Sequence, residues 1–115
     1  MFVDEKDIRV FEMGEGKERR VMKVLGHGKN LMGVTTHFKL GCYAKPHIHT
    51  EHEQFIMVLR GKFELLCGGE KRILKAGECY YAEPGVSHDA RCLEDNSVLL
   101  DVNTPLRMDL LNEEE

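Results

Sequence analysis

The chain has 115 residues, 42% of them hydrophobic and 31% charged, which is the size and composition of one globular domain. Its formal charge is −4, and it has no long basic run, so nucleic acid is disfavoured as a partner because such binding needs clustered cations. The longest apolar stretches hold about five residues, far fewer than a membrane span needs, and nothing at the N-terminus resembles a signal peptide. We therefore expect a cytoplasmic protein with neither nucleic acid nor membrane as partner.

Short apolar runs broken by turn-forming residues predict an all-β protein. The first twenty residues mix charges with glycines, so we expect residues 1–20 to form an arm or an edge strand. From Val21 onward turn signals recur about every eight to twelve residues, which is typical of a sandwich or barrel. The predicted strands, in chain order, are 21–25, 32–40, 55–59, 62–67, 72–75, 79–82 and 98–102.

The end of the chain differs from this pattern. A short turn of helix is expected over residues 106–111, after Pro105. The acidic tail at 113–115 is expected to be frayed and solvated. The β-barrel domain is therefore predicted to span residues 21–112.

A cluster of histidines is the first candidate site. His47, His49 and His52 fall within six residues. Side chains alternate faces in an extended segment, so His47 and His49 point the same way while Ile48 points oppositely. Two imidazoles spaced in this way can converge on one metal ion. The alternative is a histidine-rich surface loop.

Further metal ligands are available elsewhere in the chain. Glu53 or Gln54, at the start of a strand, can supply an oxygen, and His88 follows the turn-forming pair Pro84-Gly85. A set of imidazole nitrogens and one oxygen is a typical ligand set for Mn, Fe, Co, Ni or Zn, whereas Mg and Ca prefer mostly oxygen ligands. The predicted cofactor is therefore one divalent transition metal, with coordination positions left open for water or substrate.

Two stretches resemble the two sequence motifs of the cupin family. Gly41 to Gly61 resembles G-x5-H-x-H-x3,4-E-x6-G, and Gly77 to His88 resembles the start of G-x5-P-x-G-x2-H-x3-N. The resemblance implies a small single-domain cupin, which is a jelly-roll β-barrel of two antiparallel sheets. In the second motif Pro84 lies one place late, and Cys92 stands where Asn is common.

The resemblance also implies a set of metal ligands. Gln54 is assigned to the acidic position of the first motif because six residues separate it from Gly61, as the motif requires. Glu53 is the alternative. These ligands are all neutral, so the ion's charge would favour small anionic molecules at its open positions. The implied ligands are His47, His49, Gln54 and His88.

The C-terminal segment 100–107 resembles the D-V-F-x-P-x-R ending of the small cupins of pectin degradation, which open the ring of unsaturated uronates. The matching residues are Asp101 and Arg107, and the resemblance implies that they act on the sugar acid beside the metal. Asn103 replaces the aromatic residue. Because an acidic group in an apolar strand is costly unless it is paired, hydrated or functional, Asp101 is a candidate general acid or base. Arg107 is a candidate clamp for a carboxylate. The alternative is that the two residues pair with each other at the rim.

Three functions stay open at this point. The first is a metal-dependent enzyme that opens or tautomerises a small sugar acid. The second is an iron-dependent dioxygenase, and the third is a non-enzymatic sensor or small-molecule-binding cupin. Barrel edges and an apolar arm also predict a homodimer to which the N-terminal strand contributes. One of Tyr80 and Tyr81 is expected to face inward. His52 is expected in an exposed loop, and the alternative is that it supports one of the metal ligands.

Overall fold

The structure is a computed structural model and describes residues 1–111, so Asn112 and the predicted frayed tail at 113–115 lie outside the described residues. Short 3-10 helices at Glu5–Asp7 and Gly16–Glu18 flank the first strand, and the helix α1, Met108–Leu111, follows the last. The strands of the described chain are β1 Arg9–Met13, β2 Arg20–His27, β3 Met32–Phe38, β4 Tyr43–Ile48, β5 Glu53–Arg60, β6 Lys62–Cys67, β7 Glu70–Lys75, β8 Cys79–Ala82, β9 Ser87–Cys92 and β10 Ser97–Thr104.

These strands form two antiparallel sheets. One has six strands in the order β1-β2-β3-β10-β5-β8, and the other has four in the order β4-β9-β6-β7. Strands distant in sequence are neighbours in both sheets, as in a jelly roll. The prediction of an all-β jelly-roll barrel is therefore confirmed, and so is a short C-terminal helix.

The core between the sheets follows from the alternation of side chains along each strand. In β5, Ile56 and Val58 are buried while Phe55 and Leu59 are exposed, which is the period of two expected for a half-buried strand. The side chain of Phe63 is fully buried. Apolar burial of this kind is the main stabilising contribution to the barrel.

Both ends of the chain pack onto the six-stranded sheet. Residues 9–13, within the predicted arm or edge strand, pair with β2 as β1 and form one edge of that sheet. At the other end Leu110 of α1 is buried in a cluster with Met22 and Met32. This contact fixes the segment after β10 against the barrel. No helix in residues 1–111 has the length and apolarity needed to span a membrane.

Candidate metal centre and its cavity

Three histidines meet where the two motif strands pair. His47 on β4 lies opposite His88 on β9 in the antiparallel register, and His49 follows the end of β4. The ring centroids of His47 and His88 are 4.2 Å apart, and those of His47 and His49 are 4.9 Å apart. One ring nitrogen from each of the three residues lies within 4.8 Å of the others. The three imidazoles therefore converge on one point.

The turn of the second motif holds the first motif in place. Gly85 has a φ of +87°, a left-handed conformation that glycine adopts without strain. In this conformation its amide donates a hydrogen bond to the carbonyl oxygen of His49 at 2.8 Å. The backbone of one histidine is thereby fixed by the loop that leads to His88.

The hydrogen bonds of the rings leave nitrogens available for a metal. His47 Nδ1 donates to the carbonyl of Lys45 at 3.0 Å, which leaves its Nε2 as a free acceptor. His88 Nδ1 lies 3.4 Å from the hydroxyl of Tyr80. His49 Nε2 is buried and has no hydrogen-bond partner in residues 1–111. A buried orphan nitrogen is costly unless it binds something, so these donors fit a metal ion.

Burial keeps two of the imidazoles neutral. Desolvation lowers the pKa of His49 to about 4, and the positive charge of Arg107 adds to the effect. Desolvation likewise lowers the pKa of His88 to about 3, with His47 as the next contribution. Both rings are therefore unprotonated at neutral pH, the form in which imidazole binds metals.

Glu53 and Gln54 lie on opposite faces of β5. Gln54 is buried, with 3% of its surface exposed, and lines the cavity that contains the three histidines. Glu53 is exposed, and its carboxylate accepts a hydrogen bond from the Tyr81 hydroxyl at 2.7 Å. The structure thus brings Gln54, rather than Glu53, to the cavity of the predicted ligands.

The cavity, of about 230 Å³, also contains Asp101 and Arg107. Burial raises the pKa of Asp101 to about 6, against the opposing influence of Arg107. The carboxylate of Asp101 forms no hydrogen bond or ion pair with the described part of the chain. Arg107 instead donates from Nη2 to Oδ2 of Asp109 at 2.8 Å. The alternative in which Asp101 and Arg107 pair with each other is therefore wrong.

The two tyrosines of β8 face opposite ways. Tyr80 lines the cavity, and burial together with the negative charge of Asp101 raises its pKa. Its phenol therefore stays protonated and can donate a hydrogen bond into the cavity. Tyr81 is 44% exposed on the outer face.

His52 and Asn103 are more buried than the sequence indicates. His52 is partly buried, and its Nε2 donates to the carbonyl of Leu106 at 3.2 Å, so the expectation of an exposed loop is wrong. Asn103 is fully buried opposite Gln54 in the register of β10 and β5. Its side-chain amide has no hydrogen-bond partner within residues 1–111.

Sequence reasoning did not single out four charged residues of the cavity wall, which are Glu18, Arg20, Lys45 and Asp89. The Arg20 guanidinium donates to the carbonyl of Glu18 at 2.7 Å. Glu18 and Arg20 come from the N-terminal segment, outside both motifs. The pairing of β2 with β3 and the contact of the 3-10 helix Gly16–Glu18 with β4 bring that segment to the cavity, and no local pattern encodes these contacts.

Residues 34–103 match the family model of the cupin domain. The chain belongs to the cupin family. This cupin is 41% identical over 100 residues to the pectin degradation protein KdgF of Dickeya dadantii, with 87% of this chain and 88% of that protein covered.

Solved structures extend the comparison over nearly the whole barrel. KdgF from a Halomonas species superposes with a TM-score of 0.86 at 31% identity, covering 96% of this chain and 99% of the other. An RmlC-like cupin from Shewanella frigidimarina superposes with a TM-score of 0.83 at 28% identity, covering 95% and 94%. The similarity to two KdgF proteins agrees with the resemblance noted in the C-terminal segment.

Proposed function

We propose that this cupin is a metal-dependent enzyme that opens or tautomerises the ring of a small sugar acid, with an unsaturated uronate as substrate. The observation that carries the proposal is that Asp101 and Arg107 line the same cavity as His47, His49 and His88. The cavity therefore combines a metal-ligating cluster, a carboxyl group and a cation. The similarity to KdgF, a pectin degradation protein, supports the choice of a uronate.

A divalent transition metal would be held by His47, His49 and His88, with the amide oxygen of Gln54 as the fourth ligand. The histidine cluster and the buried, unpartnered Nε2 of His49 support this donor set. When bound, such an ion supplies Lewis-acid polarisation of substrate oxygens. Because the protein ligands are neutral, an anionic substrate is favoured at the open positions.

Arg107 would orient the substrate through its carboxylate. Its side chain is only 12% exposed, and the guanidinium is held by Asp109 at the cavity wall. A guanidinium in a partly desolvated site binds carboxylates strongly and with defined geometry, because two N–H groups can donate in parallel. Arg20 lines the same cavity and adds a second positive charge.

Asp101 would move the proton. Opening a cyclic hemiacetal breaks the bond between C1 and the ring oxygen, removes the proton of the C1 hydroxyl and delivers a proton to the ring oxygen. One carboxyl group can take the first proton and return the second. A pKa of about 6 suits both roles near neutral pH. The neutral Tyr80 hydroxyl can donate a hydrogen bond to a substrate oxygen during this exchange.

The test is turnover of an unsaturated galacturonate by metal-loaded wild-type protein and by Asp101→Asn. We expect the variant to lose about 10²- to 10⁴-fold in rate, the usual contribution of a positioned general acid or base. Asp4→Asn, the same change at an exposed N-terminal residue, serves as the matched control. Equal rates for wild type and Asp101→Asn would contradict the proposal.

Two further readouts separate the competing functions. Oxygen consumption by iron-loaded protein would identify a dioxygenase. Saturable binding of the uronate without any turnover would identify a sensor or binding protein.

We also propose that the chain forms a homodimer through the outer face of the six-stranded sheet. Phe55 and Leu59 of β5 are 57% and 46% exposed there, and Val10 of the edge strand β1 is 57% exposed. Exposed apolar side chains of this kind are typical of association surfaces. Sedimentation velocity tests this: we expect a dimer for wild type and a monomer for Phe55→Lys.

A further inference from the structure

A second cavity, of about 540 Å³, is larger than the one that contains the histidines. Its wall comes from the start of β2, the end of β3, the end of β5 and the segment before β10. Among the residues that the structure describes, no Asp or Glu lines it. The lysines and arginines that line it are Arg19, Arg20, Lys23, Lys39 and Arg60. Such a concentration of cations is unexpected in a chain whose formal charge is −4.

Neutral groups hold two of these cations in place. The carbonyl oxygen of Asn96 accepts a hydrogen bond from Arg60 Nε at 2.9 Å. The side-chain oxygen of the same Asn96 accepts from Lys39 Nζ at 2.8 Å. Asn96 has a φ of +61°, a conformation that Asn tolerates better than most residues. The two side chains are thereby fixed without being neutralised.

Nearby acidic groups compensate little of this charge. Glu12 pairs with Arg19, and this is the only ion pair to a cation of the cavity wall in residues 1–111. Asp95, the neighbour of Asn96, accepts instead from the backbone amide of Leu40 at 2.9 Å.

The surroundings of His37 indicate a positive electrostatic potential in the cavity. Its Nε2 is hydrogen-bonded to the hydroxyl of Thr35 at 3.0 Å. Burial lowers the pKa of His37, and the positive charges of Lys23 and Arg60 lower it further. Lys23 on β2 and Arg60 at the end of β5 therefore both lie close enough to act on His37 on β3.

We propose that this cavity is an anion-binding site for a small multivalent oxyanion, either a phosphate or a polycarboxylate, distinct from the metal centre. The volume falls in the range of small-molecule pockets. Guanidinium groups bind both kinds of oxyanion through paired hydrogen bonds, and lysine adds point charges. Like charges held together repel one another, so an anion that joins them gains favourable interactions with several cations at once.

The two cavities share part of their walls. Arg20 and Phe38 line both. Burial lowers the pKa of Arg20, Glu18 raises it, and the charge of Arg107 lowers it. An oxyanion bound in the second cavity would therefore lie near the wall of the candidate active site.

The experiment is calorimetric titration of metal-free protein with inorganic pyrophosphate and, separately, with citrate, at constant ionic strength. The two probes distinguish a phosphate site from a carboxylate site. We expect saturable binding of one anion per chain for at least one probe. In the double variant Lys23→Gln/Arg60→Gln the affinity should fall at least about tenfold. If the two residues acted only through the net charge of the protein, the affinity would change little.

The matched control is Lys71→Gln/Arg72→Gln on β7, which removes the same two charges from exposed positions outside the cavity. Its affinity should stay within about twofold of wild type. Thermal unfolding of each variant verifies that it is folded. Absence of saturable binding for both probes would overturn the proposal. Equal affinity of wild type and the Lys23/Arg60 variant would do the same.

A third variant separates the two cavities. If Arg107→Gln abolishes anion binding while Lys23→Gln/Arg60→Gln retains it, the anion occupies the metal cavity and the proposal is wrong. Neither result depends on turnover of a uronate, so this proposal and the proposed function fail independently.

Discussion

Arg107, on the wall of the cavity that contains the three histidines, forms an ion pair with Asp109, with Nη2 and Oδ2 2.8 Å apart. The Arg107 side chain is 12% exposed and that of Asp109 is 57% exposed. A residue near the surface therefore holds a mostly buried guanidinium in one orientation. The carboxyl group of Asp101 has no ion-pair partner among the described residues.

Asp109→Ala should weaken substrate binding more than it slows the chemical step. Loss of the pair leaves Arg107 free to move, and because Asp109 is exposed the pair contributes up to about 1 kcal/mol, or roughly fivefold. We expect KM for the uronate to rise about two- to fivefold, with kcat changed by less than about twofold. Steady-state kinetics measure both. Asp109→Asn, which keeps an acceptor oxygen, should restore most of the affinity. A large fall in kcat with unchanged KM would contradict a positioning role.

The stability of the metal-free protein should depend on Asp101. Its pKa is about 6 in the folded protein and 3.8 ordinarily, so the folded state binds the proton more tightly. The resulting stabilisation is fully present below about pH 4 and is lost as the pH rises through about 6. Asp101→Asn cannot ionise and should be more stable than wild type near pH 7.5, by roughly 1–3 kcal/mol.

Urea unfolding at two pH values tests this dependence. The difference between Asp101→Asn and wild type should shrink as the pH falls towards about 4.5, because the wild-type carboxyl is then largely protonated. Asp4→Asn, at an exposed position, should show no such dependence. If Asp101→Asn were less stable than wild type at pH 7.5, the folded protein would stabilise the ionised carboxylate of Asp101. That result would contradict a raised pKa for this group.

The opposite faces of β5 give a direct test of the fourth metal ligand. Gln54→Ala should weaken binding of a divalent transition metal by at least about tenfold, or ~1.4 kcal/mol, because one donor is lost. Glu53→Ala removes only the exposed hydrogen bond with Tyr81 and should leave the metal affinity within about twofold. Competition with a chromophoric chelator measures both affinities. The reverse ranking would assign the ligand to Glu53.

Two motif glycines should differ in their tolerance of a methyl group. Gly61 has a φ of +84°, and a Cβ there would lie 1.9 Å from the hydroxyl oxygen of Ser97, which is fully buried. Gly77 has a φ of +93°, but a Cβ there would meet nothing within 4 Å. The left-handed backbone alone costs about 1–2 kcal/mol for a residue with a Cβ.

Gly61→Ala should therefore destabilise the protein by at least about 3 kcal/mol, because overpacking adds to the backbone strain. Gly77→Ala should cost only the backbone contribution, about 1–2 kcal/mol. Chemical denaturation of the metal-free variants measures the difference. Equal destabilisation would indicate that Ser97 moves aside without cost.

Local patterns were sufficient to predict most of the fold. Side chains on a strand repeat every two residues, so Gln54 and Ile56 share one face of β5, and the structure buries that face. The predicted strand 62–67 ends at the turn between β6 and β7, where Gly68 has a φ of +64°. The motif spacing likewise identified the histidines that the structure brings together, because His47 and His49 are close in sequence at the end of β4 and His88 lies at the start of β9, which pairs with β4.

Contacts between distant segments could not be predicted in this way. The partner of His52 is the carbonyl of Leu106, 54 residues further along the chain. Arg20 begins β2, and the pairing of β2 with β3 brings it to the cavity. In both cases the partner lies outside the local pattern, and tertiary packing determines the contact.

The metal content of the protein tests the central claim most directly. Wild-type protein, loaded with a divalent transition metal and freed of excess by gel filtration, should contain one ion per chain by elemental analysis. His49→Ala and His88→Ala should contain almost none, whereas His27→Ala, at an exposed histidine outside the cavity, should contain one. Retention of a full equivalent of metal by both His49→Ala and His88→Ala would contradict the assignment of the metal centre.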